Sequence, residues 1–230
     1  MLNRADVVAT ISSTTEALIA KYRLTKRPVR IVGNAPQPGL TPRDPGAGAD
    51  KTLLYMGSFM PYKNVETMVR GMAELPEMTL HLLSRITPER RAELEALAPN
   101  AVAGNIVFHN GVTDAEYEEL LACATALISL SKAEGYGLPL VEAMSHGTPV
   151  IASDIPIFRE VGGDAVSYVD PESPSDFAAA VRALEEPALW KDRSVRAVQR
   201  AAEFSWDESA RRLLAAAEEA VALWAGRKRR

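Results

Sequence analysis

Residues 131–149 read SKAEGYGLPLVEAMSHGTP, and a short apolar run stands on either side of them, Ala126–Leu130 before and Val150–Ala152 after. Gly135 and Gly137 mark a turn. Pro139 stands where a helix would begin, a place at which its missing N–H costs nothing. From Leu138 the apolar positions Leu138, Leu140, Val141, Ala143 and Met144 fit a short helix. It stops at His146-Gly147, glycine being the usual terminator. The stretch is therefore a strand, a glycine-rich loop, a helix and a second strand, one βαβ unit of a parallel sheet.

That geometry has a chemical consequence. A helix N-terminus reached through a glycine-rich loop offers unpaired N–H groups and a partial positive charge, which suit phosphate. Two carboxylates frame it, Glu134 in the loop and Glu142 about one turn into the helix. Carboxylates beside an anion site make sense when the ligand also carries hydroxyls, because an ionised carboxylate accepts strongly from a vicinal diol. The local pattern equally fits a first-turn acid at Glu142 that complements the helix dipole and a solvated loop residue at Glu134.

Working outward, Thr52–Met56, Thr79–Leu83, Ile106–Phe108, Val150–Ala152 and Ser167–Val169 read as further strands, and helices are predicted between them. Strands alternating with helices over residues 52–185 predict an α/β fold, a Rossmann-like doubly wound parallel sheet with extra helices at the C-terminal end. Asn64 is a plausible cap for a helix running to Glu74, Thr87 for one from Pro88, and Thr113 or Asp114 for one to Ala124. Gly57–Asn64 is a second loop approaching a helix start. Lys63 there can act as a point charge against a diphosphate, or be an ordinary surface lysine. Residues 1–35 carry a strand at Val7–Ile11, a helix from Thr15 to Tyr22 that Ser12, Ser13 or Thr14 can cap, and a strand at Arg30–Val32. Gln37–Asp50 is rich in Pro and Gly and reads as a linker. Helices follow at Pro174–Leu184, Ala188–Ala202 and Trp206–Trp224. In the last of these Leu213, Leu214, Ala217 and Val221 line one apolar face.

Composition removes several function classes. At 230 residues and 47% hydrophobic the chain can bury one substantial core. The formal net charge is −4, so no basic field argues for nucleic acid. No window reaches the roughly 18–20 apolar residues of a membrane span, and the N-terminus has no signal-peptide core. A single cysteine, Cys123, excludes an intrachain disulfide framework and suits a reducing cytosol; it reads as a small core residue of its helix. The three histidines, His81, His109 and His146, form no metal-ligand spacing with it. The terminal Arg227–Arg230 cluster reads as a solvated tail, with an anionic membrane surface as the alternative. Asp154 and Glu160 read as structural.

The run EGYGLPLVEAMSHGTPVIASD, with Glu134 and Glu142 spaced E-x7-E, resembles the nucleotide-sugar-binding core of retaining GT-B glycosyltransferases of family four. The G-x5-K-N pattern from Gly57 to Asn64 looks like the same family's first loop with its diphosphate lysine, except that Ser58 stands where many members carry arginine; Arg85 is a candidate replacement. The FSW sequence at Phe204–Trp206 resembles the family's junction, from which the last helix crosses back over the acceptor-side domain. The resemblance implies donor contacts at Gly57, Ser58, Lys63, Glu134, Gly135, Tyr136, Gly137, Leu138 and Glu142, with Ser84, Arg85 and Val112 near the base. Lys63 and Glu134 are the candidates for catalysis. It assigns Glu142 to the ribose, Glu134 to the donor sugar's hydroxyls, and Lys63 with the N–H groups of Gly137 and Leu138 to the diphosphate, with no metal and no cofactor beyond the nucleoside diphosphate sugar.

The resemblance also divides the chain. Residues 1–35 would be a remnant of the acceptor-side domain, 36–51 a linker, 52–203 the donor-binding domain, and 204–230 the crossing helix and tail. The expected protein is then the donor half of a cytoplasmic enzyme, free or peripheral to a membrane. It would use a UDP- or GDP-sugar and an unidentified hydroxyl acceptor, and need an acceptor domain or second chain for transfer. The alternatives are a non-catalytic nucleotide-sugar-binding module that pairs with another chain, and a flavodoxin-like phosphate binder sharing only loop geometry.

Overall fold

Short segments in which nearly every residue is apolar can bury both of their faces, which is what a parallel sheet flanked by helices requires. The computed structural model describes residues 2–45 and 50–228. Near its start β1 (Val8–Thr10) and β2 (Val29–Ile31) pair in parallel across α1 (Ser13–Lys21), making a small sheet of their own. The main sheet contains β3 (Thr52–Met56), β4 (Thr79–Leu83), β5 (Ile106–His109), β6 (Ala126–Ser129), β7 (Val150–Ser153) and β8 (Ser167–Val169). All of its pairings are parallel and its order is β5-β4-β3-β6-β7-β8, the doubly wound arrangement that the alternating pattern predicts.

The register explains where the core lies. Leu53, Tyr55, Leu80, Leu82 and Ile128 point to one face, covered by α2 (Val65–Gly71), α3 (Pro88–Glu95) and α7 (Pro174–Ala183). Leu54, Leu83, Leu127 and Val150 point to the other, covered by α4 (Asp114–Cys123), α5 (Leu138–His146), α6 (Pro156–Gly162) and α8 (Pro187–Ala201). Phe158 and Phe177 are fully buried on opposite sides. Each such side chain contributes about 1.5–3 kcal/mol of hydrophobic stabilisation. Helix starts follow sequence chemistry. Ser12 caps α1, Thr87 caps α3, and Thr113 with Glu116 forms a full capping box on α4.

Two expectations are corrected. Cys123 is exposed: α4 turns Leu121 inward and leaves Cys123 facing a groove beside His81 and His109. Asn64 makes no side-chain cap for α2, because its left-handed backbone (φ 55°) points the amide elsewhere. The linker is tied to the main body through Arg43. The Arg43 N–H donates to the His146 carbonyl at 2.9 Å, and its guanidinium donates to the Ala124 carbonyl at 3.0 Å and stacks over Trp190. Residues 46–49 of that linker and 229–230 of the basic tail lie outside the described residues.

The final helix, α9 (Trp206–Lys228), runs back along the small sheet. Trp206 Nε1 donates to the Pro36 carbonyl at 2.8 Å, Arg30 pairs with Glu219 through two nitrogens, and Arg227 pairs with Asp6. Leu213, Leu214 and Val221 are exposed, as the apolar stripe of the sequence implies. No described helix is long and apolar enough to cross a membrane.

Glu160 of α6 joins the small sheet to the main one. One oxygen accepts from the Ser13 N–H at 2.6 Å; the other accepts from the Thr14 N–H at 2.8 Å and the Thr14 hydroxyl at 2.6 Å. Desolvation opposes ionisation of Glu160, but these hydrogen bonds outweigh it and hold the carboxyl below its usual range. The anchoring is therefore complete above the pH at which a free glutamate titrates, and is lost as pH falls through the depressed folded value. Glu160→Gln should cost about 1–3 kcal/mol, because a hydrogen-bonded charge is removed and an amide nitrogen faces donors. Limited proteolysis between residues 22 and 28 reads the result, and unchanged cleavage would remove this anchor from the account.

Candidate functional site

At β3 and β6 the strand order reverses, so the loops leaving these two strands diverge and open a crevice beyond their carboxyl ends. A cavity of about 310 Å³ occupies that position. Tyr55, Met56 and Lys63 form one wall, and Glu134 to Leu140 form the other. Ile11 and Asn34 close a third side from the small sheet.

The β6 wall is shaped by Gly137. It is the residue before α5, has a φ of 96°, and provides no side-chain cap, so the start of α5 is left to a ligand or to water. A Cβ here would lie 2.8 Å from the Phe158 ring, so space and backbone both demand glycine. On the β3 wall a Cβ at Gly57 would meet the Tyr55 hydroxyl at 2.9 Å. That hydroxyl donates to the Ser58 carbonyl at 2.5 Å and holds the chain as it leaves the strand. Asn64 then ties the walls together. Its amide donates to the Leu130 carbonyl at 3.0 Å and the Pro171 carbonyl at 2.6 Å, and its oxygen accepts from Thr67.

This bracing brings Lys63 and Glu134 into contact. Lys63 Nζ lies 2.5 Å from Glu134 Oε1, and the Ser131 hydroxyl donates to the same oxygen at 2.8 Å. The two charged side chains are only 19% and 13% exposed, so water screens the pair less than at a free surface. Glu142 stands one turn along α5 and does not line the cavity. Its Oε2 accepts from the Tyr117 hydroxyl of α4 at 3.1 Å. Burial pushes the Glu142 carboxyl above its usual range; the Tyr117 hydrogen bond opposes the shift and Asp114 adds to it. Burial, together with Glu142 itself, pushes the Tyr117 hydroxyl well up.

The other expected residues divide in two. Gly135, Tyr136, Gly137 and Leu138 line the cavity, with Tyr136 fixed by its hydroxyl on the Asn34 carbonyl at 3.0 Å. Gly57 and Ser58 adjoin it at the exit of β3. Arg85 is exposed on the loop after β4, and Val112 lines the separate groove beside α4, so neither is gathered into the cavity. His109 is hydrogen-bonded to His81 at 2.9 Å in that groove, where burial and its neighbour push His81 down. Asp154 pairs with Arg159, a structural role like that of Glu160. Ile11, Asn34 and Tyr117 are residues that sequence reasoning did not single out. Among the described residues no group of three or more His, Cys, Asp or Glu side chains could hold a metal ion.

The family model described as glycosyl transferases group 1 matches residues 42–203, which include both walls of the crevice. The chain is 26% identical over 189 residues to the O-antigen chain mannosyltransferase RfbU of Salmonella typhimurium, covering 80% of this chain and 52% of that protein. It therefore spans about half the length of that relative. Among solved structures, a sucrose-phosphate synthase from Thermosynechococcus elongatus superposes with a TM-score of 0.83 at 25% identity, covering 96% of this chain and 60% of that one. Anabaena HepE, solved in complex with UDP and glucose, superposes with a TM-score of 0.72 at 19% identity, covering 87% of this chain and 60% of the other.

Proposed function

Because the chain belongs to the glycosyl transferases group 1 family, we propose that the crevice between β3 and β6 binds a nucleoside diphosphate sugar, and that the chain is the donor-binding half of a retaining glycosyltransferase. The observation that carries this reading is the meeting of Lys63 and Glu134 from opposite loops beside the uncapped start of α5. A cation and a helix N-terminus suit a diphosphate. A carboxylate within reach suits sugar hydroxyls.

In this reading the bond from the anomeric carbon to the diphosphate oxygen breaks, the acceptor oxygen bonds to the same face of that carbon, and the acceptor's hydroxyl proton passes to the departing diphosphate. Charge gathering on the departing diphosphate is stabilised by Lys63 and by the N–H groups of Gly137 and Leu138, held in place before the reaction. Glu134 orients the donor sugar rather than attacking it, and Glu142 accepts from the ribose hydroxyls. The mannosyltransferase relative and the UDP-bound HepE structure support the donor class. The half-length match to RfbU supports an acceptor held by a second domain. The exposed face of α9 supports its docking there.

Calorimetry with UDP, GDP and their glucose and mannose conjugates tests the reading. One base should bind, and its sugar conjugate should bind more tightly at the same stoichiometry. Because burial holds the Glu142 carboxyl above the ordinary glutamate range, and its ionised form is the stronger acceptor from a diol, affinity should fall as pH drops through that raised value. The diphosphate has an acid limb of its own, which Glu142→Gln retains while losing the carboxylate's. No nucleotide binding, or a Glu142→Gln profile that matches the parent at every pH, would overturn the assignment.

A further inference from the structure

Tyr117 is placed by a rigid local device. The capping box of Thr113 and Glu116 fixes the first turn of α4, and Leu121, one turn further on, is fully buried. Between them Tyr117 projects into the seam with α5, where the residue is 5% exposed. Phenylalanine would fill that space equally well. The hydroxyl therefore calls for its own explanation, since a buried hydroxyl without a partner is unfavourable. Its partner is Glu142 Oε2, at 3.1 Å.

We propose that Tyr117 is a positioning residue, which holds the Glu142 carboxylate in one rotamer and occupies one of its acceptor sites, so that the remaining sites meet the two ribose hydroxyls of the donor. The proposal rests on the reading of Glu142 as the ribose carboxylate. An unrestrained glutamate on the second turn of a helix must lose side-chain freedom when a ligand binds; one already held by Tyr117 has lost it beforehand. The hydrogen bond also favours the ionised form against the burial that disfavours it. The charged groups acting on the Tyr117–Glu142 pair are few: Asp114 lies one turn earlier on α4, and burial holds the Tyr117 hydroxyl protonated, as a donor. This role makes discrimination between ribose and its deoxy forms, rather than nucleotide affinity at large, the property that depends on Tyr117.

The test uses the whole chain and two probes, UDP (or GDP, whichever binds more tightly) and its 2′,3′-dideoxy form. The readout is the ratio of the two dissociation constants. The parent should prefer the ribose form, and Glu142→Gln should lose most of that preference. Tyr117→Phe should reduce the ratio by about three- to tenfold, the size of a typical net hydrogen bond. Its affinity for the dideoxy probe should stay unchanged, and it should have no further effect on the ratio in a Glu142→Ala background. A structural role alone would weaken both probes equally. That outcome, or an unchanged ratio in a variant that melts like the parent, would overturn the proposal while leaving Glu142 in place. A parent that does not distinguish the probes, or does not bind either, would overturn the proposal together with the reading beneath it.

Discussion

Lys63→Ala is expected to weaken binding of the nucleoside diphosphate by about ten- to a hundredfold, the loss of a charge-assisted hydrogen bond in a half-dry site. The reason is local. Among the described residues that line the crevice, Lys63 is the one basic side chain; Arg85 stands exposed outside it, and Ser58 offers no charge. The same change leaves Glu134 mostly buried without its cation, so a second variant separates ligand loss from local damage. Glu134→Gln should keep the chain folded, hold diphosphate affinity at or above the parent's by freeing Lys63, and remove the extra affinity contributed by the sugar. Calorimetry on both variants reads the outcome. Undiminished nucleotide binding in Lys63→Ala would sink the diphosphate assignment.

The second large effect falls on Gly137. Gly137→Ala should cost about 2–4 kcal/mol of stability, since a left-handed backbone and a collision with a packed ring both oppose a side chain. The Cβ would lie 2.8 Å from Phe158, which is fully buried and has little room to yield. Relief would come by moving the loop, and with it the start of α5, so nucleotide binding should fall as well. Thermal melts and calorimetry on one preparation give both numbers. A variant that melts and binds like the parent would show that the turn has freedom the close packing denies it.

The sheet was legible because its strands are continuous apolar runs between turn residues, a pattern that depends on local chemistry and little else. The crevice was legible to the same extent. Lys63 and Glu134 sit on loops leaving β3 and β6, and a doubly wound order brings those loops together. Less local features escaped. Asn34 and Ile11 line the cavity because Glu160, Trp206 and Tyr136 dock a distant segment against it, and none of these contacts follows from spacing in the chain. Tyr117 was not singled out, since a tyrosine in a sequence does not announce where its hydroxyl ends. Cys123 was misplaced for the same reason: helical periodicity gives a face, and the uncovered strip of sheet beside β4 and β5 decides whether that face is dry. The inward lean of Asn64 comes from a left-handed backbone that sequence rules assign more readily to glycine.

The Lys63–Glu134 contact acts on the proposed ligand as a coincidence requirement. A free phosphate that takes the lysine leaves the carboxylate stranded, and a free sugar that takes the carboxylate strands the lysine. Each half of the donor alone breaks a mostly buried ion pair and replaces one side of it. Only a molecule that carries anion and hydroxyls on one framework replaces both at once. In that reading the pair disfavours the fragments of the proposed donor, inorganic phosphate and free hexose, relative to the intact nucleoside diphosphate sugar.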